Sequence, residues 1–184
     1  DAFPDIYKVK CLPAAPEDPG RVALVLVPDI RKRLPFAPLT PKVSTATLAD
    51  VEAFFADKVS TFARVRARNP RFVWVQVRVA IRYRAGIDIG FYSQRIDEEL
   101  RRFLAPWAYD AEAEIAFGGR IYANLIIDFL ERRSYVDYVA NISLYRSIDG
   151  LDYKLVLRDS EAQGYWVEAD GPDAILVTAP RHIF

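Results

Sequence analysis

Hydrophobic and polar positions alternate with a period of two along Arg71–Arg84, RFVWVQVRVAIRYR. Val73, Val75, Val77, Val79, Ile81 and Tyr83 fall on one side; Phe72, Trp74, Gln76, Arg78, Ala80, Arg82 and Arg84 fall on the other. This pattern predicts a strand with one apolar and one mixed face. At about 3.3 Å per residue it runs about 40 Å, against about 5–6 residues for an ordinary strand. A strand that long can support two helix-covered layers, and the flanking sequence supplies helices for both.

Ile6–Leu12 reads as a short strand, and the nearly unbroken apolar run Arg21–Val27 as a central one. Pro28–Thr45, with Pro35, Pro38 and Pro41, has no periodicity and predicts an extended, exposed arm. Thr47–Val59 carries Leu48, Val51, Phe55 and Val59 on one helical face; Thr47 and Asp50 approximate a capping box. Phe62–Arg68 predicts a strand closed by Asn69-Pro70. After the long strand, Tyr92–Leu104 predicts a helix stopped by Pro106. Ile115–Phe117 predicts a short strand. Ile121–Arg132 predicts a third helix with Leu125, Ile126, Phe129 and Leu130 inward. Tyr135–Tyr145 alternates again, with Val136, Tyr138, Ala140, Ile142 and Leu144 sharing a face. Tyr153–Leu157 and Ala174–Thr178 complete the strands, and the polar stretch Arg158–Gly171 separates them.

The order predicts an α+β fold. Two small helix-covered mixed sheets, of split βαβ or ferredoxin-like character, would share the long central strand. The predicted division is a strand–strand–helix–strand unit over 1–70 and a βαβαβ unit with terminal strands over 71–184. Pro106 and Trp107 form an apolar corner that turns the chain back onto the sheet.

Composition narrows the function. The 184 residues carry 25 basic and 25 acidic side chains, and this balance speaks against a general nucleic-acid or membrane-surface role. The lone Cys11 has no internal partner and reads as a buried, inert thiol. No Met occurs, as expected of a piece of a longer protein. Tyr and Arg are plentiful, which suits surfaces spent on partners.

Catalytic chemistry finds little to stand on. The single histidine, His182, reads as a surface residue near the terminus, and with Cys11 far away it makes no metal site. Asp97, Glu98 and Glu99 are successive on a helix, point in different directions, and read as a solvated face. Gly118-Gly119 reads as a turn rather than a phosphate loop. No catalytic residue, cofactor site or metal site is assigned. The mixed face of the long strand is the candidate interface: Trp74, Arg78, Arg82 and Arg84, preceded by Arg64, Arg66 and Arg68 at alternating positions. Arginines interleaved with aromatics fit a protein partner; the alternative is a nucleic-acid-binding module using the same Arg-rich face.

FLAPWAY at Phe103–Tyr109, FGGRI at Phe117–Ile121 and YVDYVANISL at Tyr135–Leu144 resemble the C-terminal part of baseplate J-like proteins. VALVLVP at Val22–Pro28, TLADVEAFFADKVS at Thr47–Ser60, Asn69-Pro70 and ILVTAPRHI at Ile175–Ile183 extend the resemblance, in order, from about Lys8 to Ile183. The resemblance implies a structural, non-enzymatic subunit of the baseplate wedge of a contractile phage tail or injection system. It implies other wedge subunits and neighbouring copies of itself as partners, with no membrane and no small-molecule substrate. It also implies assembly in the bacterial cytoplasm and then residence in the particle.

Overall fold

The computed structural model describes residues 2–14, 19–31, 37–157 and 164–184. The chain is α+β and divides into two compact units, Asp1–Arg71 and Phe72–Phe184.

The first unit contains β1 (Ile6–Leu12), β2 (Arg21–Pro28), α1 (Thr45–Ala56) and β3 (Arg64–Arg68), with sheet order β1-β2-β3. β2 pairs antiparallel with β1 and parallel with β3. A parallel neighbour needs a crossover, and α1 supplies it. The helix begins earlier than its apolar periodicity suggests. Ser44 rather than Thr47 is the cap, its hydroxyl accepting the Thr47 N–H at 3.1 Å. Val51 buries against Leu26 and Val43, with Leu24, Leu48, Phe55 and Ala67 packed around them.

The Pro-rich stretch is less of an arm than its composition suggests. Residues 32–36 lie outside the described residues, but Pro41 and Val43 are buried. Val43 exchanges two hydrogen bonds with the Asn69 side chain, 2.7 and 3.0 Å. A backbone without periodicity can be fixed by one amide side chain that satisfies both its polar groups.

The second unit holds β4 (Arg71–Tyr83), α2 (Ile89–Leu104), a 3-10 turn (Pro106–Ala108), β5 (Arg120–Tyr122), α3 (Ala123–Glu131), β6 (Val136–Ser147), β7 (Lys154–Leu155), β8 (Trp166–Glu168) and β9 (Ala174–Thr178). Its main sheet has the order β7-β6-β4-β9, and β5 pairs with β8 in a separate ribbon. β4 is long, unbroken and central to this sheet. It is not shared with the first sheet. β2 already has β1 and β3 at its two edges, and Asn69-Pro70 breaks the chain between β3 and β4, Pro70 lacking an N–H. The split βαβ pattern also differs from the expectation, because β5 leaves the sheet for β8 and starts at Arg120 rather than Ile115.

Val73, Val75, Val77 and Val79 are buried under α2 and α3, against Ile96, Leu100, Ile126, Leu130 and Leu144. Asp88 caps α2 through the Phe91 N–H at 3.1 Å. Leu125 is exposed, so the inner face of α3 is narrower than its spacing suggests. β6 does not keep one face throughout. Its register against β4 slips between Ser143 and Ala140, where Asn141 adopts φ 54°. The extra residue turns Tyr138 outward, while Ile142 and Leu144 stay in the core.

Candidate protein-docking surface

The side of the second sheet opposite the valines is built by register. β4 and β6 run antiparallel, with Trp74 opposite Ser147, Gln76 opposite Tyr145, Arg78 opposite Ser143 and Arg82 opposite Tyr138. Residues directly opposite in such a ladder share a face, so Trp74, Gln76, Arg78, Arg82, Tyr138 and Tyr145 make one surface.

Its cations are held in place. The Arg78 guanidinium lies 3.9 Å from the centre of the Tyr145 ring, and its Nε donates to Gln76 Oε1 at 3.1 Å. Gln76 donates in turn to the Arg181 carbonyl at 3.2 Å. Arg82 sits 5.7 Å from the Tyr138 ring and 3.8 Å from Asp137. The Tyr138 hydroxyl, then Asp137, hold its pKa above the usual arginine value. Arg84 turns aside at the end of the strand, where its Nε donates to the Val136 carbonyl at 3.2 Å. Trp74 is half-buried beside Gly150 (φ 77°), where a Cβ would come within 3.2 Å of the indole. The Ser147–Asp152 loop over it is fixed by Asp149, which accepts from the Ser147 hydroxyl and from the N–H groups of Leu151 and Asp152. Those bonds, the Leu151 N–H foremost, lower the Asp149 pKa to about 2. Arginine and tyrosine fixed on a rigid sheet lose little entropy on binding, which is the economy of a docking face.

Pro106 opens the 3-10 turn after α2, and Trp107 is 8% exposed with its indole N–H unpartnered. Trp107 is thus on the buried side of this corner, while Pro106 is exposed.

Three other sequence readings change. His182 is 2% exposed, not superficial. Its Nδ1 accepts the Val77 N–H at 3.1 Å, and its Nε2 lies 3.0 Å from Thr178 Oγ1, whose hydroxyl donates to the Ala179 carbonyl. That pattern requires the neutral Nε2–H tautomer. Burial pushes its pKa down to about 4, Asp97 opposing and Arg101 assisting. The imidazole thus stands in for a strand carbonyl where the C-terminal tail continues along β4 through Ile183. Asp97 and Glu99 are not simply solvated. Asp97 accepts the His182 N–H at 2.7 Å and pairs with Arg101; Glu99 binds Arg95, Arg133 and the Tyr135 hydroxyl. Burial foremost, with Glu99 beside it, raises the Tyr135 pKa. Cys11 is exposed, because an edge strand presents its alternate residues to solvent.

Among the described residues no group of three or more His, Cys, Asp or Glu side chains is placed to hold a metal ion. No described helix is long and apolar enough to cross a membrane.

Comparison with known proteins adds the family. The sequence model of the family described as "Baseplate protein PVC11-like" matches residues 2–163. No curated protein matches the chain. Among solved structures, the chain is similar in fold to one in the "Cryo-EM structure of the anti-feeding prophage (AFP) baseplate, 6-fold symmetrised", with a TM-score of 0.61 and 16% identity. That likeness covers 96% of this chain and 34% of the other, so the present chain spans about a third of its length.

Proposed function

The chain belongs to the PVC11-like family of baseplate proteins, and from that premise we propose that it serves as a structural subunit of a contractile particle's baseplate wedge. It docks on other baseplate subunits through the open face of β4 and β6, with Arg78 and Arg82 as its charged anchors. It carries out no chemistry, and it assembles in the bacterial cytoplasm before residing in the particle. The single observation that supports this most is the pair of cross-strand stacks, Arg78 on Tyr145 and Arg82 on Tyr138, held on a rigid, open sheet. The test is assembly. Arg78→Glu/Arg82→Glu in the full-length protein should leave folding intact and stop its incorporation into baseplates seen by negative-stain microscopy. Normal incorporation of this variant would refute the docking role.

A further inference from the structure

The second unit is rich in carboxylates, yet its open face leaves a guanidinium without one. Residues 72–184 hold 13 basic and 17 acidic side chains, a net charge of −4. Elsewhere in this unit arginines are matched: Arg101 pairs with Asp97 at 3.0 Å, Arg120 with Glu168 at 3.1 Å and Arg132 with Asp128 at 2.9 Å. Among the described residues Arg78 has no carboxylate partner. Its Nε donates to Gln76 and its guanidinium lies on the Tyr145 ring, which leaves both Nη groups available. Such a pair of nitrogens takes a carboxylate through two parallel hydrogen bonds. The ring and the Gln76 bond hold the guanidinium before a partner arrives, so less entropy is lost on binding. Arg82, four residues on, has a looser pair, 3.8 Å from Asp137 with both side chains more than half exposed.

The face changes character along β4. Trp74, Arg78 and Arg82 follow one another at intervals of four residues on one side of the strand, about 13 Å apart. At the Trp74 end the Ser147–Asp152 loop packs Gly150 against the indole, and its Ile148 and Leu151 are 69% and 86% exposed. The same loop carries Asp149, bound to its N–H groups, and Asp152, 4.0 Å from Lys154. One end of the face is thus apolar with carboxylates, and the other is cationic. A nucleic-acid backbone is a uniform polyanion and would be repelled at the loop end. A polypeptide can change its side chains over the same length.

We infer that this face receives a segment of a partner subunit that sets an apolar side chain against Trp74 and Leu151, a carboxylate on Arg78 and a second carboxylate toward Arg82. This rests on reading the β4–β6 face as a docking surface, and it names the chemistry of the partner. The interval of about 13 Å is four residues of an extended partner or about nine of a helical one. Arg78 is the main anchor, because its Nη groups have no competing carboxylate. The loop carboxylates repel an acidic segment laid in the reverse direction, so the segment docks in one orientation.

The test is photo-cross-linking in the assembled baseplate. Ala80 is exposed on the same face, between Arg78 and Arg82. The full-length protein carrying benzoylphenylalanine at that position is irradiated within purified baseplates, and the cross-linked peptide is sequenced by mass spectrometry. Where the probe blocks assembly, Leu155 carries it instead, exposed on the same face opposite Tyr145. The expected product is a segment of another subunit holding an Asp or Glu that pairs with Arg78. Arg78→Glu should lower incorporation at least about tenfold, and reversing that partner carboxylate to Lys should restore it. A cross-linked segment with no carboxylate whose reversal rescues Arg78→Glu overturns the inference and leaves the docking role standing. A nuclease-sensitive adduct overturns it and assigns the face to nucleic acid. Assembled baseplates without any cross-link from this face overturn the inference and the docking role together. Arg78→Gln needs no probe. It should also lose at least about tenfold in incorporation, with Arg78→Lys, which keeps the charge but not the fork, falling between it and wild type. Incorporation of Arg78→Gln equal to wild type overturns the inference. Thermal melting of each variant shows that it is folded.

Discussion

Acid should weaken this protein through one residue. His182 is the sole histidine, it is buried as the neutral tautomer, and Val77 N–H points at its Nδ1. Protonation would set a donor against a donor. The folded-state pKa of about 4 lies below the ordinary 6.5. Between these values the unfolded chain binds the proton and the folded one does not, so stability falls as pH drops through this window and is fully present above it. A difference of about two and a half units corresponds to about 3 kcal/mol at most. The assay is urea unfolding between pH 7.5 and 4.5, comparing wild type with His182→Gln. Other groups titrate in both proteins, so the difference in slope isolates the imidazole. The wild type should lose about 2–3 kcal/mol more than the variant over that range. The single imidazole can also be followed directly by NMR. Parallel slopes, together with an imidazole titrating near 6.5, would refute the reasoning.

Further outcomes follow from packing. Trp107→Ala should cost about 3–5 kcal/mol in urea unfolding, while Trp107→Phe should cost less than about 1.5, because the indole N–H has no partner to lose. Gly20→Ala forces a Cβ against the Phe62 carbonyl at positive φ, and should lower stability by more than about 2 kcal/mol in the same measurement. Asn69→Ala removes both bonds to Val43, and should cost about 1–3 kcal/mol and raise hydrogen exchange at the Val43 amide.

The sequence carried the regular parts of this fold well. β1, the valine face of β4 and the end of α2 at Pro106 are all local signals: a period of two, a period of 3.6 and a proline stop. Resemblance of several short motifs also placed the chain among contractile baseplates. What escaped were features decided by distant pairing. The β5–β8 ribbon joins segments far apart in sequence, and no local pattern distinguishes Arg120–Tyr122 from a helix start. The bulge at Asn141 reversed Tyr138 within an apparently regular alternation; an asparagine within a strand was the available cue. His182 was hidden because a histidine near the end of a chain carries no pattern, and only the fold shows that Val77 needed an acceptor there. Of the candidate surface, the arginines were legible by alternation, but their tyrosine partners on β6 were not, since cross-strand register is invisible until the bulge is known.

The most direct test of the docking role is a cryo-electron microscopy reconstruction of the assembled baseplate containing the full-length protein. The account predicts that Arg78, Arg82, Tyr138 and Tyr145 lie beneath a partner subunit. Density in which that face is bare to solvent on every copy would contradict it.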